Sequence, residues 1–178
     1  MKEFREFIYN QHDVVCNQKY AGTLPYSCHL AFVEAQGRKF LHLLDSKEYA
    51  NYTEETVVLH AIIAHDSIED ARITYNDILN FNSGQSEFFR KSVADIVYCV
   101  TDEKGKYRKE RKNDKYYAEL KKNKLAVFVK LADLAANTLF SKLSGSSMYE
   151  KYKKEWLNFK AKLYIEEYKE FFDYIENL

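Results

Sequence analysis

An all-α fold is predicted for this chain by three observations. One Pro and five Gly stand among 178 residues, so helix-breaking residues are scarce. Apolar side chains recur at helical spacing along most of the length, whereas strand-like alternation is rare. Charged residues make up 30% of the chain, which supplies polar outer faces to go with those apolar stripes. A chain of this length buries one sizeable core, and a single domain over residues 1–178 is expected.

Taken in order, Phe4, Phe7, Ile8, Gln11 and Val15 define a first helix over about residues 2–19. Gln18 to Tyr26, with the only Pro, reads as a turn, and a second helix is expected from near His29 to Leu44. Asp45 to Thr53 is polar, and Thr53 with Glu54 and Glu55 marks a helix start. The run Val57 to Ile63 is apolar all round and predicts a buried helix that carries Ala64-His65-Asp66-Ser67-Ile68-Glu69-Asp70 at its end. Thr74 then caps a short helix, Tyr75 to Phe81, ahead of a loop at Asn82-Ser83-Gly84.

Phe88, Phe89, Val93, Ile96, Val97 and Val100 give the stripe of the next helix, which ends near Thr101-Asp102. Glu103 to Lys124 is dense in charge and reads as a solvated face. Leu125 to Leu139 is the second strongly apolar helix, with one acid, Asp133, at its centre. After Ser144-Gly145-Ser146-Ser147, one long amphipathic helix bearing Trp156, Phe159, Leu163, Phe171 and Phe172 closes the domain.

Composition excludes several function classes. Lys+Arg and Asp+Glu both number 27, so no global charge draws the chain to nucleic acid or to an anionic membrane. Neither is expected as a partner, and phosphate recognition has to be local. Three cysteines without a CxxC spacing predict reduced thiols, and the charged N-terminus and the absence of a membrane-length apolar run predict a soluble, cytoplasmic protein. The 15 Tyr and 12 Phe are read as packing residues. Nothing in the pattern fixes an oligomeric state.

The polar groups leaving the buried helix need a reason. An ionised carboxylate in an apolar helix is costly unless it is paired or ligates a metal. His65-Asp66 and Asp133 explain each other if a cation lies between their helices. On a continuous helix Glu69 falls below His65 and Asp70 below Asp66. A second imidazole would complete the set; His29 is the best placed, though by chemistry alone it is equally an ordinary helix-start residue. Imidazole and carboxylate together suit Mn²⁺, Fe²⁺ or Zn²⁺ in a catalytic site with open positions. His12, His42 and His60 read as structural or surface residues.

The order His29, His65-Asp66, Asp133 resembles the HD superfamily of phosphohydrolases. Pro25-Tyr26-Ser27-Cys28-His29, His65-Asp66-Ser67-Ile68-Glu69-Asp70, Val100-Thr101-Asp102-Glu103-Lys104, Glu110-Arg111-Lys112 and Lys130-Leu131-Ala132-Asp133 to Asn137 narrow the likeness. They resemble the hydrolase domain of the RelA/SpoT family, over about residues 1–165, and in size the stand-alone small alarmone hydrolases, including the metazoan SpoT homologue.

The resemblance implies a Mn²⁺-dependent hydrolysis that removes pyrophosphate from the 3′ position of guanosine tetra- or pentaphosphate, a small nucleotide substrate. It implies metal ligation by His29, His65, Asp66 and Asp133, and water orientation and proton transfer by Glu69 and Asp70. Asn137 would touch the nucleotide's sugar or phosphate region, while Lys19, Lys104, Arg111 and Lys112 would meet phosphate charge. Three positions depart from the family pattern: Tyr20 stands for its usual Arg beside the guanine base, Leu30 for the Pro after the ligand His, and Phe140 for a small hydroxyl residue. Tyr20 can stack on a base. The departures open two other readings, a phosphatase for a different nucleotide, such as NADPH or a deoxynucleotide, and a nucleotide-binding sensor with little turnover.

Overall fold

The computed structural model describes residues 1–45, 52–81, 84–102 and 112–178. Those residues form an all-α fold with one two-stranded ribbon. In order they are α1 (Lys2–Asn10), a π-helical turn (Gln11–Val15), β1 (Lys19–Tyr20), β2 (Leu24–Pro25), α2 (Tyr26–Arg38) and a 3-10 turn (Leu41–Leu43). Then come α3 (Glu54–Ala64), α4 (Ser67–Asp70), α5 (Tyr75–Phe81), α6 (Glu87–Val100) and α7 (Asp114–Lys121). The chain closes with α8 (Lys124–Leu143), α9 (Met148–Leu163), a second 3-10 turn (Glu166–Tyr168) and α10 (Lys169–Glu176).

The core is built around α8, which packs on α2, α3, α6, α7, α9 and α10. Its Ala126 to Ala132 are all buried, as are Val57 to Ala64 of α3, which is why both helices are apolar on every side. The helix starts are fixed by side-chain caps: Thr53 Oγ1 accepts from Thr56 N on α3, Ser86 from Phe89 N on α6, and Asn123 from Ala126 N on α8. Thr74 and Asp77 cap α5 reciprocally, Thr74 N donating to Asp77 Oδ2 at 2.8 Å and Asp77 N to Thr74 Oγ1 at 3.2 Å. Gly37 lets α2 lie close to α3 and α8. A Cβ there would stand 2.5 Å from Ile62 Cδ1 and 3.5 Å from Ala132 Cβ.

Several expected boundaries differ. The first helix stops at Asn10 and widens into the π turn, which carries His12 into the interior. The expected turn before the second helix is an antiparallel ribbon, Lys19 opposite Pro25 and Tyr20 opposite Leu24, with Ala21 at φ 50° and Gly22 at φ 81° making its tight end. α2 starts at Tyr26, because Asp13 Oδ1 accepts the Ser27 N–H and satisfies the helix N-terminus from outside. It ends at Arg38, short of Leu44.

The charged stretch hides α7, whose Tyr117 and Leu120 are buried while its other side is solvated. The final helix is broken after Leu163 and resumes at Lys169, so that Phe171 and Phe172 pack inward at a new angle. No helix among the described residues is long and apolar enough to cross a membrane.

Candidate metal centre

The seven-residue segment does not continue α3. The helix ends at Ala64, and Asp66 takes φ −97°, ψ 2°, the bridge conformation that starts the separate short helix α4. The expected stacking of Glu69 below His65 on one helix is therefore corrected. The break turns the Asp66 carboxylate back toward His65, and α4 delivers Glu69 and Asp70 from a second direction.

Three segments bring the ligand set together. The donor atoms of His29 from α2, His65 from the end of α3 and Asp133 from α8 all lie within 4.8 Å of one another. Asp66 Oδ2 is 3.0 Å from His65 Nε2 and 3.4 Å from His29 Nε2, and Asp133 Oδ1 is 3.7 and 3.5 Å from the same two atoms. Donors about 2.1 Å from a shared ion are about 3.0 Å apart at a right angle and about 3.4 Å apart at the tetrahedral angle. The observed edges are of that size.

The imidazoles are buried and oriented. His65 Nδ1 donates to the Ile62 carbonyl at 2.8 Å, and because a carbonyl only accepts, Nδ1 keeps its proton and Nε2 is the nitrogen that faces the carboxylates and exchanges a proton for a metal. That Nε2 has no hydrogen-bond partner among the described residues, nor has His29 Nδ1. A buried, orphaned ring nitrogen facing two carboxylates fits a divalent cation. Burial pulls the His65 imidazole down, but Asp66 and Asp133 outweigh it and lift it to about 10; His29 is raised by the same carboxylates against the same burial. Burial pushes both carboxyls up, yet His65 for Asp66 and Lys130 for Asp133, followed by the two imidazoles, hold them well below the usual range. Two anions in this enclosure demand positive charge, which protons or a metal can supply.

Around the ligands lies a supporting ring that sequence reasoning missed. The Tyr26 hydroxyl donates to Asp66 Oδ2 at 2.6 Å and lies 3.4 Å from Asp70 Oδ2, while its ring stacks on buried His12 with centroids 4.7 Å apart. His12 Nδ1 pairs with Gln18 Oε1 at 2.5 Å. Lys130 Nζ, buried one turn before Asp133 on α8, donates to Asp133 Oδ2 at 3.0 Å. A lysine inside an apolar helix, three residues from a lone acid, was the available signal. Tyr26 had none, since its role depends on the chain reversal at the ribbon.

Glu69 is anchored by the Asp102 N–H, which donates to Oε1 at 2.5 Å. Burial raises the Glu69 carboxyl to about 7, with Asp66 and Asp102 adding to the shift and Lys130 opposing it. Asp70 is exposed at the mouth. Asn137 sits one turn after Asp133, donating through Nδ2 to Asp133 Oδ1 at 2.6 Å and accepting the Tyr20 hydroxyl at 3.2 Å. The Tyr20 ring packs on His29 and on Phe140, each with centroids 4.7 Å away, so two of the positions that depart from the family pattern form one aromatic wall.

A narrow cleft leads from Asp133 along α8 toward α9, lined by Lys112, Tyr117, Lys130, Asn137, Tyr152 and Glu155. Lys112 Nζ is 3.6 Å from Glu155. Lys19 is exposed on β1, and Lys104 and Arg111 lie outside the described residues. His60 Nδ1 donates to the Thr56 carbonyl and its ring packs between Phe4 and Phe89, and His42 pairs with Glu170, both away from the centre.

No protein-family model matches the sequence, and a search among curated proteins returns no significant match.

Proposed function

We propose that this chain is a divalent-metal-dependent phosphohydrolase for a small nucleotide, and that the leading substrate is a guanosine 3′-diphosphate alarmone with Mn²⁺ as the metal. The observation that carries the reading is the convergence of His29 from α2, Asp133 from α8 and the His65-Asp66 pair from the junction of α3 and α4, around a buried His65 Nε2 that has no hydrogen-bond partner among the described residues. A structural ion pair has no need of two buried imidazoles, one of them locked by a backbone carbonyl with Nε2 toward the carboxylates.

A cation held by these four side chains would supply Lewis acidity, lowering the pKa of water and polarising a phosphoryl oxygen. The remaining work falls to the chain's own groups. Glu69, with its carboxyl near 7, can take the proton of the attacking water and return it, because both of its states are populated at neutral pH. The water oxygen bonds to phosphorus, the ester bond to the nucleotide's 3′ oxygen breaks, and the proton ends on that oxygen, releasing pyrophosphate. Tyr26 and Lys130 hold the outer lone pairs of Asp66 and Asp133 so that their remaining oxygens face the centre. Asp70 at the mouth orders water, and Lys112 and Lys130 in the cleft meet phosphate charge.

A second substrate reading is favoured by one observation. Tyr20 and Phe140 pack together, and Tyr20 also occupies Asn137, which reshapes the wall on which a base would rest. A phosphatase for NADPH or a deoxynucleotide follows if that wall rejects guanine. Assaying ppGpp, NADPH and deoxynucleotides with Mn²⁺ for phosphate and pyrophosphate release separates the two. Pyrophosphate from ppGpp, absent in Asp66→Asn, supports the alarmone; turnover of another nucleotide alone supports the second reading. Saturable nucleotide binding without turnover of any of them would leave a sensor.

A further inference from the structure

Beside the metal centre, α8, α9 and α10 enclose a groove of about 550 Å³, within the range of small-molecule sites. Thr138 and Trp156 line it and are only 3% and 6% exposed, yet neither Thr138 Oγ1 nor Trp156 Nε1 has a hydrogen-bond partner among the described residues. Buried polar atoms are normally paired, and an indole N–H can only donate.

The other lining groups say which ligand. Lys142, Lys153 and Lys154 bring three cations to the groove, and Tyr149 and Tyr152 bring aromatic faces. Lys153 Nζ lies 5.4 Å from the Tyr149 ring centroid. Lys142 Nζ and the Tyr149 hydroxyl, the latter at 2.9 Å, both donate to the Leu178 backbone oxygen, so these two donors are engaged and Lys153 and Lys154 carry the charge of the groove. The acidic side chain of the groove, Glu176, is held by Lys160 and does not cancel Lys153 and Lys154.

We propose that this groove is a second binding site, separate from the metal centre, for a nucleoside phosphate. The lysines take the phosphate as point charges and the tyrosine rings flank the base, with Trp156 in the wall beside them. Tyr152 lines both this groove and the cleft beside Asp133, which makes the two sites neighbours. The inference stands whether or not the metal centre is hydrolytic.

Trp156 is the chain's only Trp, so its emission reports occupancy directly. The full chain, stripped of metal with a chelator, is titrated with GDP, guanosine and inorganic phosphate, with excitation at the red edge of tryptophan absorption. GDP is expected to change the emission saturably with half-saturation below about 1 mM, an ordinary metabolite affinity. The Lys153→Gln/Lys154→Gln variant should bind at least tenfold more weakly and Lys142→Gln less than threefold more weakly, and Asp133→Asn should match the parent within twofold. Circular dichroism checks that each variant keeps its helix content. No saturable change with GDP, equal affinity in the folded Lys153→Gln/Lys154→Gln variant, equal affinity for phosphate alone, or loss of the signal in Asp133→Asn each overturns the proposal. The last outcome would place the nucleotide in the metal-side cleft.

Discussion

The two walls of the candidate metal centre are held in different ways. On one, His65, Asp66 and Asp133 are each fixed by a further group: the Ile62 carbonyl, the Tyr26 hydroxyl and the Lys130 ammonium. On the other, Tyr20 and Phe140 are half-buried rings that rest on each other, with a single 3.2 Å hydrogen bond from Tyr20 to Asn137. Charges removed from water need partners at every lone pair, so the first wall is over-determined; aromatic contact tolerates substitution of shape, so the second is adjustable. Under the proposed function, the first wall sets the chemistry and the second the nucleotide.

The largest effect that would test this division is at Asp133. Asp133→Asn removes the anionic charge from the ligand set and is expected to lower Mn²⁺-dependent turnover by about three orders of magnitude, with Mn²⁺ binding by calorimetry falling alongside. Loss of turnover with unchanged Mn²⁺ affinity would assign Asp133 to another role. Lys130→Met leaves Asp133 Oδ2 buried and unpaired and should reduce stability in urea by about 3–5 kcal/mol. A change below about 1 kcal/mol would mean that the pair is solvated and the first wall is not over-determined.

Tyr26→Phe keeps the ring on His12 but deletes the 2.6 Å bond to Asp66, and Mn²⁺ affinity should weaken by about 10–100-fold without loss of fold. Glu69→Gln tests the proton transfer proposed for this carboxyl. Its carboxyl is raised from 4.5 to about 7 by burial, so its contribution to folding is fully present below pH 4.5 and is lost as pH rises through about 7. In metal-free protein, Glu69→Gln should therefore be more stable than the parent by about 1–2 kcal/mol at pH 8 and equal to it at pH 4, measured by urea unfolding. With Mn²⁺, its turnover should lose the pH dependence near 7.

The smallest expected effect is on the second wall. Tyr20→Ala should shift KM or nucleotide preference by about tenfold and leave Mn²⁺ affinity unchanged. If Mn²⁺ affinity falls with it, the two walls act as one.

How much of this was legible in the chain differs residue by residue. The apolar runs Val57 to Ile63 and Leu125 to Leu139 announce two buried helices, and lone polar groups within such runs announce a site, because uncompensated charge does not stay in an apolar interior. That reasoning reaches His65, Asp66 and Asp133, and it leaves His29 as one choice among the four other histidines until α2 is laid against α8 at Gly37. The charged face over Asp114 to Lys121 was misread as wholly solvated because Tyr117 and Leu120 are too sparse to stand out among lysines.

By itself, then, the sequence determined the helical class, the two buried helices and the ionisable residues that those helices cannot carry unaided. Only the tertiary structure decided the break at His65-Asp66, the ribbon that sets Tyr20 over His29, and the pairing of Tyr26 with Asp66 across 40 residues. The physical reason is range: helix periodicity and capping are local, whereas the partner of a buried charge is chosen by which elements the core brings together.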